Sequence, residues 1–190
     1  MNYKYCVTAA AANRQRSVED CLLANMAQTP YKEISVSDLC QQLGISRKAF
    51  YRYYSGKDAC LCALLDRTLM ECSLFEIPEK TTAPNAPQEI SSFLAFWKQN
   101  KDLLDLLIQN NLVDKLISRT ILHVVNETGA KIQCSSDDDF AYDDDVRLFA
   151  LSGIIALIVR WHCDGYTLSD EEMSQKMSRL LLEPLMHLTN

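Results

Sequence analysis

Residues 34–58 read ISVSDLCQQLGISRKAFYRYYSGKD, and this stretch decides the fold. Ser35 is a helix N-cap residue, with Asp38 three positions on as a short stand-in for the glutamate of a capping box. Leu39, Cys40 and Leu43 then form the apolar stripe of a short helix. Gly44 ends it, where a left-handed backbone is useful. Ser46 caps a second helix after one intervening residue, Ile45. On that helix Phe50 and Tyr54 recur at a spacing of four and turn inward, which leaves Arg47, Lys48, Tyr51 and Tyr53 facing outward. Ser55 and Asp58 repeat the cap pattern and open a helix that the pattern carries to Phe75. Two short helices joined through Leu43-Gly44-Ile45-Ser46 make the compact corner that presses a second helix into a DNA major groove.

Outward from this corner the rest of the chain also reads as helix. Residues 1–13 are expected to be a disordered lead, followed by a helix from about Arg14 to Gln28 that Pro30 closes. Pro78, Pro84 and Pro87 mark a linker. Helical patterns then cover Glu89–Asn100, Leu103–Asn110 and Leu112–Thr128. Residues 134–142 are polar and acidic and read as a loop. A long helix follows from Asp143 to Cys163, with Asp143, Asp144 and Asp145 at its positive end and Gly165 as its stop. Ser169 and Glu172 form a capping box for the last helix, which runs toward Leu188 with Pro184 as a kink or end. The expected fold is all-α with about nine helices. Its N-terminal three-helix head covers residues 1–57, and its C-terminal helical body, for dimerisation and ligand binding, covers residues 58–190. With only five glycines and five prolines in 190 residues, a sandwich of short strands is a poor alternative.

The net charge of −6 argues against an unspecialised nucleic-acid binder, but the charge is unevenly spread. Residues 1–60 hold eight Lys/Arg against five Asp/Glu, whereas residues 61–190 hold eleven against twenty. A basic head on an acidic body presents one end to phosphate. The eight cysteines (Cys6, Cys21, Cys40, Cys60, Cys62, Cys72, Cys134 and Cys163) are irregularly spaced and follow no secretion signal. They read as reduced thiols of a cytoplasmic protein. The longest apolar run, Val146–Trp161, is broken by Arg147 and Arg160 and is too short to span a membrane.

No metal-protease motif, phosphate-binding glycine loop or nucleophile elbow occurs, so no enzyme is expected. Asp137-Asp138-Asp139 and Asp143-Asp144-Asp145 lack the glycine and terminal glutamate of a calcium loop. Cys60 and Cys62 diverge on a helix, as do His162, Cys163 and Asp164, so neither set reads as a metal site. No metal or cofactor is expected.

The string from Ile34 to Cys40, then Leu43-Gly44-Ile45-Ser46, Phe50-Tyr51-Arg52-Tyr53-Tyr54, Lys57-Asp58 and Leu61 resembles the DNA-binding head of the TetR/AcrR family of regulators. The resemblance implies that Arg47, Lys48, Ala49 and Tyr51 face the groove and that Ser35, Tyr53 and Lys57 hold phosphates. Lys57 also has a physical argument, since a cation in the first turn of a helix opposes the helix dipole and a phosphate would relieve the conflict. Pro30 stands where a glycine is common in the family, Tyr53 where histidine is frequent and Tyr54 where phenylalanine is. The resemblance further implies a homodimer through the last two long helices, here with Gly153, Leu180, Leu181 and Leu185 as contacts. It also implies a ligand cavity, for which Phe75, Phe93, Phe96, Trp97, His123 and Trp161 are candidates. The expected function is a regulator, most simply a repressor, that a small effector releases from a near-palindromic operator. Control by a protein partner, or by metal or thiol chemistry, is the alternative.

Overall fold

The computed structural model describes residues 9–72, 86–131 and 139–182. Among them every regular element is an α-helix, as expected: α1 Ala9–Met26, α2 Val36–Gln42, α3 Arg47–Tyr51, α4 Lys57–Met70, α5 Ala86–Gln99, α6 Lys101–Gln109, α7 Val113–Lys131, α8 Asp139–Cys163 and α9 Asp170–Leu182. Several boundaries differ from the sequence reading: α4 ends at Met70, short of the Phe75 to which its pattern carried it, and α7 runs on to Lys131, past Thr128. The lead expected over 1–13 is already helical at Ala9, the first described residue, in keeping with the high helix propensity of the run Ala9–Ala12. Pro87, read as linker, lies in the first turn of α5, where a missing N–H costs nothing. The long helix begins at Asp139, four residues before the aspartate triplet that was expected to open it. Phe75 and Leu185 lie outside the described residues, as do Pro184 and the expected end near Leu188.

The chain forms two compact units. The first takes in residues through Thr68 together with Asp105–Leu116, and the second takes in Leu69–Leu104 with the chain from Ile117 on. In the first, Val18, Leu22, Met26, Leu39, Phe50, Leu61 and Leu65 are buried. One charged group joins them: Glu19 is 1% exposed. Its carboxylate accepts from Arg67 Nε at 2.8 Å and from the Tyr54 hydroxyl at 3.0 Å, which ties α1 to α4 and to the residues after α3. A buried carboxylate needs such partners, and here they also fix the place of the Tyr54 anchor.

In the second unit α5 packs on α9. Ile90, Phe93, Leu94 and Trp97 on α5 and Met173 and Met177 on α9 are buried. Polar links run along the same pair, Lys98 to Asp170 at 2.6 Å and Ser91 to Ser174 at 3.3 Å. Helix α8 buries Leu151, Ile154, Ile155, Ile158 and Trp161. It stops where Gly165 takes φ +66°, with Tyr166 N–H bonded back to Trp161 C=O and Gly165 N–H to His162 C=O. That is a Schellman end at the glycine the sequence marked. The Ser169–Glu172 capping box opens α9 as expected, with both reciprocal bonds formed.

Candidate nucleic-acid interface

The corner is built as the sequence predicts. Ser35 Oγ accepts from Asp38 N–H at 3.2 Å, and Asp38 carboxylate accepts from Ser35 N–H at 3.2 Å. The Ser35 hydroxyl itself donates to Asp38 Oδ2 at 2.6 Å. These bonds, the side-chain one foremost, hold the Asp38 carboxyl below its ordinary range. Gly44 takes φ +62° with Ile45 N–H returning to Cys40 C=O at 3.0 Å, a turn that any side chain would strain. Ser46 then caps α3 by accepting from Ala49 N–H at 3.1 Å. Helix α3 has only five residues, and Tyr53 and Tyr54 follow it with their N–H groups turned back to Phe50 C=O.

Aromatic packing orients this short helix. Phe50 is fully buried, with Tyr51 edge-on at 5.5 Å and Tyr54 at 5.6 Å between ring centroids. The opposite side is open: Arg47, Lys48 and Tyr51 are exposed, and Ala49 is half-buried between them. Tyr51 keeps 47% of its surface, a large share for an aromatic ring. The Arg47 guanidinium lies 5.9 Å from the Tyr51 ring centroid, so cation and ring share one face. The residue that sequence reasoning passed over is Arg52. Its guanidinium sits 5.0 Å from the centroid of half-buried Tyr53 and donates to the Tyr53 hydroxyl at 3.1 Å. The spacing Arg52-Tyr53 carries no periodic signal, because the two meet only after the helix has ended.

Lys57 differs from the sequence argument in its partners. Its ammonium donates to three carbonyls, of Tyr31 at 2.5 Å, Ile34 at 2.8 Å and Lys32 at 3.2 Å, and lies 4.6 Å from the Tyr31 ring centroid. The conflict with the α4 dipole is thus met by backbone oxygens of the 31–34 loop, with all three donors of the ammonium engaged. Ser35 likewise spends its hydroxyl hydrogen on Asp38. Both residues shape the approach to α2, and neither presents a free donor in this state. A groove of about 580 Å³ between α1 and α2 is lined by Asn25, Glu33, Asp38 and Gln42 among others. Its two carboxylates make it unsuited to phosphate.

Residues 23–64 match the family of bacterial regulatory proteins called tetR. That segment, the helix-turn-helix corner, is a tetR-type head. Over 45 residues, 24% of this chain, it is 44% identical to the HTH-type transcriptional regulator EthR of Mycobacterium tuberculosis. That match covers 21% of the relative, so the chain spans about a fifth of the length of the curated relatives it matches. The likeness in fold extends further. A TetR transcriptional regulator of Streptococcus agalactiae superposes with a TM-score of 0.58 over 90% of this chain and 95% of its own, at 16% identity. A TetR-family regulator of Syntrophomonas wolfei gives 0.56 over 94% and 99%, at 15% identity.

In the second unit, the candidate ligand residues fall into different roles. Phe93, Trp97 and Trp161 are buried, whereas Phe96 and His123 are half-buried. Phe93 and Phe96 both meet Trp97 edge-on, at 6.3 and 5.6 Å. Trp161 spends its indole N–H on Leu168 C=O at 2.9 Å and stacks edge-on with Tyr166, so it pins the α8–α9 turn. Trp97 Nε1 is buried with no acceptor among the described residues. On α8, Phe149, Gly153 and Ala156 are exposed along one line, Phe149 by 68%. A Cβ placed on Gly153 would meet nothing within 4 Å. Leu180 is half-buried, and the side chain of Leu181 lies outside the described residues.

The described residues contain no group of His, Cys, Asp and Glu placed to hold a metal. Burial, followed by the charge of Glu19, pushes the Cys60 thiol far above its ordinary value, which favours its protonated form. No helix among the described residues is long and apolar enough to cross a membrane.

Proposed function

We propose that this chain is a sequence-specific, DNA-binding transcription regulator that acts as a homodimer and leaves its operator when a small ligand binds the second unit. The observation that carries the reading is the exposed face of Arg47, Lys48 and Tyr51 on a helix anchored from behind by Phe50 and Tyr54. Arg47 is suited to the paired acceptors of guanine, and Ala49 and Tyr51 to thymine methyls and phosphates. Tyr53 supplies a phosphate contact, with Arg52 beside it. Ser35 and Lys57 act chiefly by holding the α2 entry in place.

The exposed Phe149, Gly153 and Ala156 line supports a helix-on-helix dimer contact, for which Leu180, Leu181 and Leu185 are further candidates. Two heads are needed to meet successive major grooves about 34–36 Å apart. The Trp97 indole, which has no acceptor among the described residues, supports a ligand with a hydrogen-bond acceptor among Phe93, Phe96 and Trp97; His123 and Trp161 are further candidates. Such a ligand changes DNA affinity only by its differential affinity for the two states of the dimer.

The test is enrichment of genomic fragments on the purified chain at low salt. A short near-palindrome should emerge. Its affinity should fall steeply with salt, with the slope expected for about 6–10 phosphate contacts. Enrichment of no sequence would sink the reading.

A further inference from the structure

The DNA-reading unit contains a corner that lies far along the chain from the motif. Helix α6 ends in a Schellman motif: Leu112 N–H bonds to Leu107 C=O at 2.8 Å, Asn111 N–H to Ile108 C=O at 3.1 Å, and Asn111 takes φ +55°. This end fixes the backbone of Asn110. The Asn110 amide then has its two ends committed. Nδ2 donates to Leu106 C=O at 2.9 Å, and Oδ1 accepts from Tyr31 N–H at 2.7 Å. A flipped amide would set its NH2 against the Tyr31 N–H, so the neighbours allow one orientation.

Tyr31 passes this restraint on. It is buried, its hydroxyl donates to Asp58 Oδ1 at 2.5 Å, and its carbonyl accepts from Lys57. Asp58 has a further link to the same corner, Lys115 Nζ at 3.9 Å in the first turn of α7. The Lys57 ammonium gathers the carbonyls of the 31–34 loop, and that loop ends at Ser35, the cap that starts α2. Helix α2 in turn carries the Gly44 turn and α3.

We infer that Asn110 is a positioning residue for DNA binding: by holding the Tyr31 amide, it sets the loop that seats α2 and hence the face of Arg47, Lys48 and Tyr51. The inference rests on the DNA-binding reading. It goes beyond that reading by assigning part of the head's function to a side chain outside residues 23–64.

The test uses the full chain and the DNA fragment that the wild type enriches. Asn110→Ala removes both bonds. It should weaken binding of that fragment by about tenfold while the helical signal is kept, and the Tyr31 amide should exchange faster with solvent. Asn110→Asp keeps the acceptor and should restore Tyr31 protection and binding to within about threefold of wild type. A folded Asn110→Ala chain that binds as wild type overturns the inference. Should Asn110→Ala not fold, Asn110→Asp decides. With its Tyr31 amide protected it must bind, and with that amide open it must not; either mismatch overturns the inference. A wild type that binds no DNA overturns the DNA-binding reading and this inference together.

Discussion

Arg47 and Lys57 show how two cations of one motif come to do different work. Arg47 is exposed and shares a face with Tyr51, to which it is hydrogen-bonded, and its guanidinium has further donors for the proposed contact with a base edge. Lys57 is folded back onto three carbonyls. Arg47→Ala should therefore relax discrimination between the operator and unrelated DNA by roughly ten- to a hundredfold, read by competition binding, with the fold intact. Lys57→Ala should instead loosen the 31–34 loop and weaken all DNA sites alike; a selective loss at one base pair would contradict the assignment. Trp97 offers a contrast in the second unit. Trp97→Phe removes an indole N–H that has no acceptor among the described residues, so the ligand-free stability should change little for that atom, against the core volume lost. The response to the effector should fall. Undiminished release of DNA by the effector in this variant would remove Trp97 from the ligand site.

At the scale of elements, the two capping boxes are the clearest local devices. Ser35→Ala removes the N-cap of α2 and should cost about 1 kcal/mol of stability in denaturant unfolding. The same change should return the Asp38 carboxyl toward its ordinary value, measurable by carboxylate NMR titration. The sign follows from the direction of the shift. Asp38 is held below its ordinary 3.8, so the box contributes fully above that pH and loses its contribution as the pH falls through the lowered value. Glu172, held below its ordinary 4.5 by the backbone and hydroxyl of Ser169, behaves likewise at the start of α9. An Asp38 titration that is identical in wild type and Ser35→Ala would contradict the box. Among the longer elements, the start of α8 was misplaced because negative charge favours a helix N-terminus without stating which of several aspartates stands there.

At the scale of the molecule, the homodimer proposed above can be tested at the exposed line on α8. Phe149→Glu combined with Gly153→Glu places like charge on that line, and the chain should sediment as a monomer with its helix content unchanged. DNA affinity should fall with it, because one head reaches one half-site. A double variant that remains dimeric would move the interface elsewhere.

Much of this protein was legible without coordinates. The caps at Ser35, Ser46 and Ser169, the stops at Gly44 and Gly165, and the Phe50–Tyr54 anchor are local in sequence, and local rules of backbone and periodicity determine them. The outward face of Arg47, Lys48 and Tyr51 followed from the same spacing. What only the tertiary structure decided concerns groups whose partners lie far along the chain. The carboxylate of Glu19 meets Arg67, Lys57 closes on the Tyr31 loop, and Asn110 reaches Tyr31 across 79 positions. A hydrogen bond specifies distance and direction in space and has no period along the chain. No pattern in the sequence could therefore mark Asp105–Leu116 as part of the unit that holds the helix-turn-helix corner.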